Sequence, residues 1–337
     1  LFHYGHANAL RQSKGLADEL IVGCHSDLEI QSNKGPTVLT QSERCELLNG
    51  CRWVDQVVPD APYSTQLEFI KPFEIDFVAH GDDITTDSAG LDSYRFVKEA
   101  GLYKEFQRTR SISTTDTLSR ILSPDRSFTR TLHSTFQAPK LPPSSSSVEG
   151  SPGPIEEPSP RFRDGHLLAM VRPPIDLHLK GDKSDELKEA QKNWTIYLHG
   201  PFDLFSAEDL KLFEQITENG RFNLLVGIWT NKDIEEKLKQ PVVWNFQERA
   251  LTVLQCKFVT GLVLPAIPSN QLLKKGSEGQ SYFTISHSAF GNSRIGDYQS
   301  TLRIFELIKR QHQLYLDRQA NKLLKAKLES ELEKQQP

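Results

Sequence analysis

Near its start the chain places two imidazoles three residues apart, in His3-Tyr-Gly-His6. Residues at i and i+3 share one face of a helix. The first turn of a helix also carries free N–H groups and the positive end of the dipole, a setting that favours phosphate oxygens. Gly5, without a Cβ, would let a nucleotide approach the backbone closely. Alone, so short a pattern marks no more than two ordinary histidines.

Further along, Arg108-Thr-Arg-Ser-Ile-Ser-Thr-Thr115 runs into a segment predicted to be helical from around Asp116. One hydroxyl among Ser113, Thr114 and Thr115 is expected to cap that helix, and the others suit phosphate oxygens. Arg108 adds a charge-assisted donor for the β- and γ-phosphates. Phe77-Val-Ala-His80-Gly-Asp82-Asp83 ends an apolar run, and ligands of open α/β sheets bind beyond the carboxyl ends of strands. There Asp82 and Asp83 would meet base, ribose or a hydrated Mg²⁺; without a partner motif, the pair is a turn.

The elements that must hold these groups follow from periodicity. Up to about residue 125, short apolar runs such as Leu20-Ile-Val-Gly23 and Ile75-Asp-Phe-Val-Ala79 alternate with amphipathic stretches, the pattern of a parallel sheet flanked by helices. Residues 126–192 are rich in Pro and Ser and read as a tether. Order resumes at Trp194 and repeats the first half. Leu1-Phe2-His3 aligns with Leu204-Phe205-Ser206, Leu20-Ile-Val-Gly23 with Leu224-Leu-Val-Gly227, Glu43-Arg44 with Glu248-Arg249, and Cys51-Arg-Trp-Val54 with Cys256-Lys-Phe-Val259. In the second copy a strand and the turn His199-Gly-Pro-Phe-Asp203 come before Leu204, so a matching strand and turn are expected ahead of Leu1. Residues 193–310 form this second domain, and 311–337 a charged helix expected to pack or stay solvated.

A formal net charge of −4 and a pI of about 6.2 give no field for wrapping nucleic acid or an anionic membrane. No apolar run reaches the ~20 residues that span a bilayer. Stable membrane insertion is therefore not expected. Cys24, Cys45, Cys51 and Cys256 show no disulfide-framework spacing, which favours free thiols and a cytoplasmic setting.

Taken together, His3-Tyr-Gly-His6, Lys34-Gly-Pro, Glu43-Arg44, Arg52-Trp-Val-Asp55, His80-Gly-Asp-Asp83 and Arg108 to Thr115 resemble, in order, the motifs of the cytidylyltransferase family within the HxGH nucleotidyltransferases. The tandem repeat, with Ala61-Pro-Tyr63, is similar to the ethanolamine-phosphate branch of that family. The resemblance implies tandem Rossmann-like domains and transfer of a cytidylyl group from CTP to phosphoethanolamine. His3 and His6 would serve the pentacoordinate phosphorus, Lys34 (in the family, a loop residue) and Arg108 the α- to γ-phosphates, and Ser113 to Thr115 the triphosphate tail. Gly5, Arg44, Asp82 and Asp83 would also lie along the nucleotide, with Mg²⁺ held mainly by the CTP phosphates. Tyr63, His80 and Tyr94 would lie near the ammonium end, with packing roles for the tyrosines and a core place for Trp53 as competing readings.

Two departures stand out. Ser111 replaces the family's glycine, and the second copy has Ser206-Ala-Glu-Asp209 where His-x-Gly-His would fall, so that site should repel CTP. The second domain is expected to pair with the first as an internal pseudo-dimer, with a homodimer also open. Competing functions are transfer to phosphocholine or glycerol 3-phosphate, an adenylyl-transferring relative, and a catalytically silent scaffold.

Overall fold

In the computed structural model residues 1–110, 112–122, 195–218, 220–239, 242–266 and 301–321 are described in full, and 161–163, 166–170, 282–286 and 299–300 by their backbone. Ser111 lies outside the described residues. The first half runs α1 (Tyr4–Lys14), β1 (Ile21–His25), α2 (Asp27–Lys34), α3 (Gln41–Asn49), β2 (Gln56–Ala61), α4 (Leu67–Ile70), β3 (Val78–Gly81), α5 (Arg95–Glu99), β4 (Tyr103–Phe106) and α6 (Thr114–Leu122). Side-chain oxygens start the helices: Ser26 accepts from the Glu29 N–H before α2, and Thr40 and Glu43 form a capping box before α3. Strand β1 pairs in parallel with β2, and β3 with β4. Between the edges of β1 and β3 lies a cavity of about 710 Å³, lined among others by Val22, His25, Phe69, Ile75, Val78 and Tyr94.

Two short strands, β5 (Arg161–Arg163) and β6 (His166–Met170), arise inside the segment expected to be a tether. The second half then runs β7 (Thr195–Gly200), α7 (Ala207–Ile216), β8 (Asn223–Ile228), α8 (Asn231–Leu238), α9 (Phe246–Leu254), β9 (Gly261–Leu264), β10 (Tyr282–Ser286) and α10 (Gln299–Arg310). Its sheet has the order β10-β7-β8-β9-β6-β5, parallel through β9 and antiparallel beyond. Strand β7 stands between β10 and β8, the place the cavity holds between β3 and β1. The chain is thus an α/β protein of two Rossmann-like repeats, with parallel strands flanked by helices.

The repeat persists in atomic detail. Arg44 Nε donates to the carbonyl of Leu39, and Arg249 Nε to that of Trp244; each guanidinium then reaches back to the helix before it, at Asp27 and Asn231. The halves meet through equivalent elements about an approximate twofold axis. Cys51 and Cys256 form an antiparallel bridge there, flanked by bonds from Arg52 N to Gln255 O and from Lys257 N to Gly50 O. Helix α1 packs on α9 and α3 on α7, the same contact turned over. One buried core crosses this seam, joining Leu39, Leu47, Leu118 and Ile121 to Leu204, Phe213 and Trp244.

Trp53, read as core from the sequence, is only half-buried and lies at the seam, where its indole N–H donates to Gln255. Beyond α10, residues 312–321 are helical and pack rather than float: Tyr315 is buried, its hydroxyl donating to Thr37 O at 2.8 Å, and Arg318 donates to Pro36 O. Residues 322–337 of the expected tail lie outside the described residues. Among the described residues no helix is long and apolar enough to cross a membrane.

Candidate active site

His3 is the N-cap of α1, in extended conformation and 4% exposed. Its N–H donates to His6 Nδ1 at 3.4 Å, and the two rings stack with centroids 3.9 Å apart. The i, i+3 spacing therefore does bring both imidazoles to one place. Burial, and then the proximity of His6, push the His3 pKa well below its ordinary value. The pKa of His6 is also lowered, by burial within the site and by positive groups that include Lys34 and Arg108. The His6 residue itself remains exposed, whereas His3 is buried.

The hydroxyl-rich loop is fastened to α1. Asn8 Nδ2 donates to Thr109 Oγ1 at 2.8 Å, and Gln12 Nε2 to the Gln107 carbonyl at 2.9 Å. Gly5 shows how tightly they close. A Cβ there would lie 2.9 Å from Ile112 Cγ2 and 3.0 Å from the His3 ring. The space expected for a nucleotide at Gly5 is thus taken by the protein itself, which gives the glycine a different physical reason. Helix α6 begins at Thr114, earlier than the sequence indicated, because Ser113 is the cap: its Oγ accepts from Asp116 N and donates to the Asp116 carboxylate at 2.6 Å. Thr114 and Thr115 occupy the first turn.

Arg108 faces this pair from the end of β4. Its N–H donates to Asp82 Oδ1 and its guanidinium to Asp83 Oδ2 at 3.0 Å, so both carboxylates orient the arginine. The rings of His80 and Tyr94 pack against each other at a tilt, with centroids 4.4 Å apart. Burial lowers the His80 pKa while Asp83 opposes it. Burial likewise raises that of Tyr94. Lys34, expected in a loop, is instead the last residue of α2; its Nζ lies 5.3 Å from the centroid of the buried Tyr63 ring, and its charge acts on His6, His25 and His80. The histidine pair, Lys34, Arg108 and the β3 end therefore converge. Arg44 does not join them through its hydrogen bonds: its guanidinium is committed to Asp27, Leu39 O and Cys24 Sγ, tying α3 to α2 and β1.

Some site residues escaped the sequence reading. His25 closes β1, stacks near Tyr63 at 5.3 Å and bonds Ala61 O through Nδ1; its place at a strand's carboxyl end was the available signal. Glu29 accepts the Tyr63 N–H, and Asn8 and Gln12 hold the loop; no sequence spacing marks those contacts. The cavity between β1 and β3 touches the site at His25 and Tyr94 but is not lined by His3 or His6. Among the described residues no group of three or more His, Cys, Asp or Glu forms a metal cage, and Asp82 and Asp83 are engaged with Arg108.

In the second half, Ser206 and Asp209 hold the places of His3 and His6 with the same capping geometry, Ser206 N donating to Asp209 Oδ2 at 2.8 Å. Its cleft is filled from within. Trp229 Nε1 donates to His199 Nδ1, and a Cβ on Gly227 would lie 2.3 Å from the Tyr197 hydroxyl.

Comparison with known proteins agrees with this geometry. The family model described as cytidylyltransferase-like matches residues 1–120. "Probable ethanolamine-phosphate cytidylyltransferase" of Schizosaccharomyces pombe is 36% identical over 276 residues, covering 80% of this chain and 70% of the relative. The protein of the same name in Encephalitozoon cuniculi is 34% identical over 276 residues, covering 82% and 76%. "Choline-phosphate cytidylyltransferase 2" of Arabidopsis thaliana is 47% identical over 126 residues, which are 36% of this chain and 41% of that relative. That likeness stops with the first half, whereas the likeness to the other two covers most of the tandem arrangement. The chain belongs to the ethanolamine-phosphate cytidylyltransferase family.

Proposed function

We propose that the chain transfers the cytidylyl group of CTP to phosphoethanolamine, giving CDP-ethanolamine and pyrophosphate. The observation that carries this reading is the fastening of α1, with His3 and His6, to the loop from Arg108 to Thr115 through Asn8, Gln12 and Gly5. A phosphate oxygen of the acceptor attacks the α-phosphorus in line, so catalysis rests on orientation and on stabilising the charge that builds on the α-phosphate and the leaving pyrophosphate. His3 and His6 donate to the pentacoordinate centre. Their lowered pKa values keep the rings neutral before CTP binds, so each offers one N–H donor, and His3 does so without adding a buried charge. Lys34 and Arg108 meet the phosphates; Arg108 arrives already oriented by Asp82 and Asp83.

Mg²⁺, when bound, would be held mainly by the CTP phosphates and water, and would neutralise part of the triphosphate charge. His80, Tyr94 and Tyr63 form the acceptor side, where ring faces and hydroxyls suit a small ammonium group. The second half serves as the fixed partner of the first across the seam. Free Cys24, Cys45, Cys51 and Cys256 support a reducing, cytoplasmic setting.

The test is product formation from labelled CTP with phosphoethanolamine, phosphocholine or glycerol 3-phosphate. CDP-ethanolamine should dominate; preferential use of phosphocholine would replace the proposed acceptor, and no CTP turnover or binding would favour a silent scaffold. Replacing His6 by Ala should lower kcat by about 10²-fold or more, in the range of a lost oxyanion donor. The melting temperature should stay within a few degrees of the parent's.

A further inference from the structure

The helix that begins the hydroxyl-rich site is held by the other half of the molecule. Thr117 Oγ1 donates to Ser113 O and accepts from Trp244 Nε1, each at 3.1 Å. A fully buried indole of the second half is thereby coupled to the residue that caps α6. One turn on, Arg120 donates to Glu248 through both terminal nitrogens, at 2.7 and 2.9 Å, and to Val243 O at 3.1 Å. Such a fork-to-fork pair fixes angles as well as distance. Glu248 is itself held, since its Oε2 accepts the Asn245 N–H at 2.8 Å.

The approximate twofold supplies an internal control. Arg303 and Glu43 make the equivalent contact in the opposite direction, with side chains 45% and 20% exposed, against 10% and 6% for Arg120 and Glu248. The tight, buried version lies on the half that carries the histidines. Arg120 is also near enough to His3 to lower its pKa, so the anchor lies close to the paired imidazoles.

We infer that Trp244 and Glu248 are positioning residues for nucleotide binding. The second half, which has Ser206 and Asp209 in place of the histidine pair, sets the axis and rotation of α6 so that Ser113, Thr114 and Thr115 meet the phosphates that His3 and His6 engage. This rests on the reading of that loop as the triphosphate side of the site.

The test uses the full chain and CTP itself. Trp244→Phe keeps an aromatic ring but is smaller, and removes the N–H; the near-isosteric Thr117→Val removes its acceptor from the other side without a cavity; Glu248→Gln removes one charge of the pair. CTP affinity by titration calorimetry should weaken about tenfold in each. The KM for phosphoethanolamine should stay unchanged, and the Trp244→Phe, Thr117→Val double variant should be no worse than either single one. A purely structural role would lower the melting temperature and the active fraction but leave CTP affinity intact. Unaltered affinity in a folded Trp244→Phe or Thr117→Val protein overturns the inference, as does strict additivity of the two. A parent protein that binds CTP but ignores phosphoethanolamine overturns the proposed acceptor and leaves this measurement decisive. A parent that binds no CTP overturns both.

Discussion

His3 and Ser206 do the same work for the backbone and different work for chemistry. Each stands in extended conformation before its helix, and each gives its N–H to the side chain three residues on. What the second copy lost is the pair of neutral donors, and Asp209, its pKa pushed up to about 6 by burial, offers a phosphate nothing. The lowered pKa of His3 has a consequence for stability. As pH falls below the ordinary histidine value of 6.5, the unfolded chain takes this proton before the folded one, so the His3 contribution is present above that value and is lost on acidification. Asp203 and Asp209, both raised, act with the opposite sign between their ordinary range and about 6. A His3→Gln protein should therefore lose less stability between pH 7 and 5.5 than the parent, as measured by urea midpoints at each pH; an equal loss would remove His3 as the source. The histidine pair was legible in the sequence because its spacing lies within one turn. The reason for Gly5 was not, because it depends on Ile112, brought beside it only by folding.

At the scale of elements, the apolar runs at Leu20 to Gly23 and Ile75 to Ala79 lead into β1 and β3, and the cap expected among Ser113 to Thr115 is Ser113, through a local bond. The errors fall where the cause is not local. Strands β5 and β6 lie in a Pro- and Ser-rich stretch; β6 pairs with β9, far along the chain, and β5 pairs with β6. The family resemblance alone places Lys34 in a loop, yet α2 runs through it and Gly35 takes φ +91° to end the helix. Arg44 is the clearest case of a motif residue whose bonds serve the frame. Replacing it by Met should leave Asp27 and the Leu39 carbonyl short of partners, a loss of about 1–3 kcal/mol by chemical denaturation. A change in CTP affinity without loss of stability would return Arg44 to the nucleotide.

At the scale of the molecule, the two halves share one core across the seam, so neither is expected to melt alone. Calorimetry should give a single transition for residues of both halves; two separated transitions would show the shared core to be weak. The repeat itself could be read from the sequence, because Cys51 and Cys256, or Arg44 and Arg249, kept their order. Their meeting about a common axis could not, because nothing in a linear alignment says which face of each copy is buried. That both sides of the seam belong to one chain has a kinetic corollary. Two free subunits separate on dilution, whereas tethered partners keep a high effective concentration at any dose. Arg52 therefore goes on meeting the Cys256 and Val259 carbonyls at any dilution.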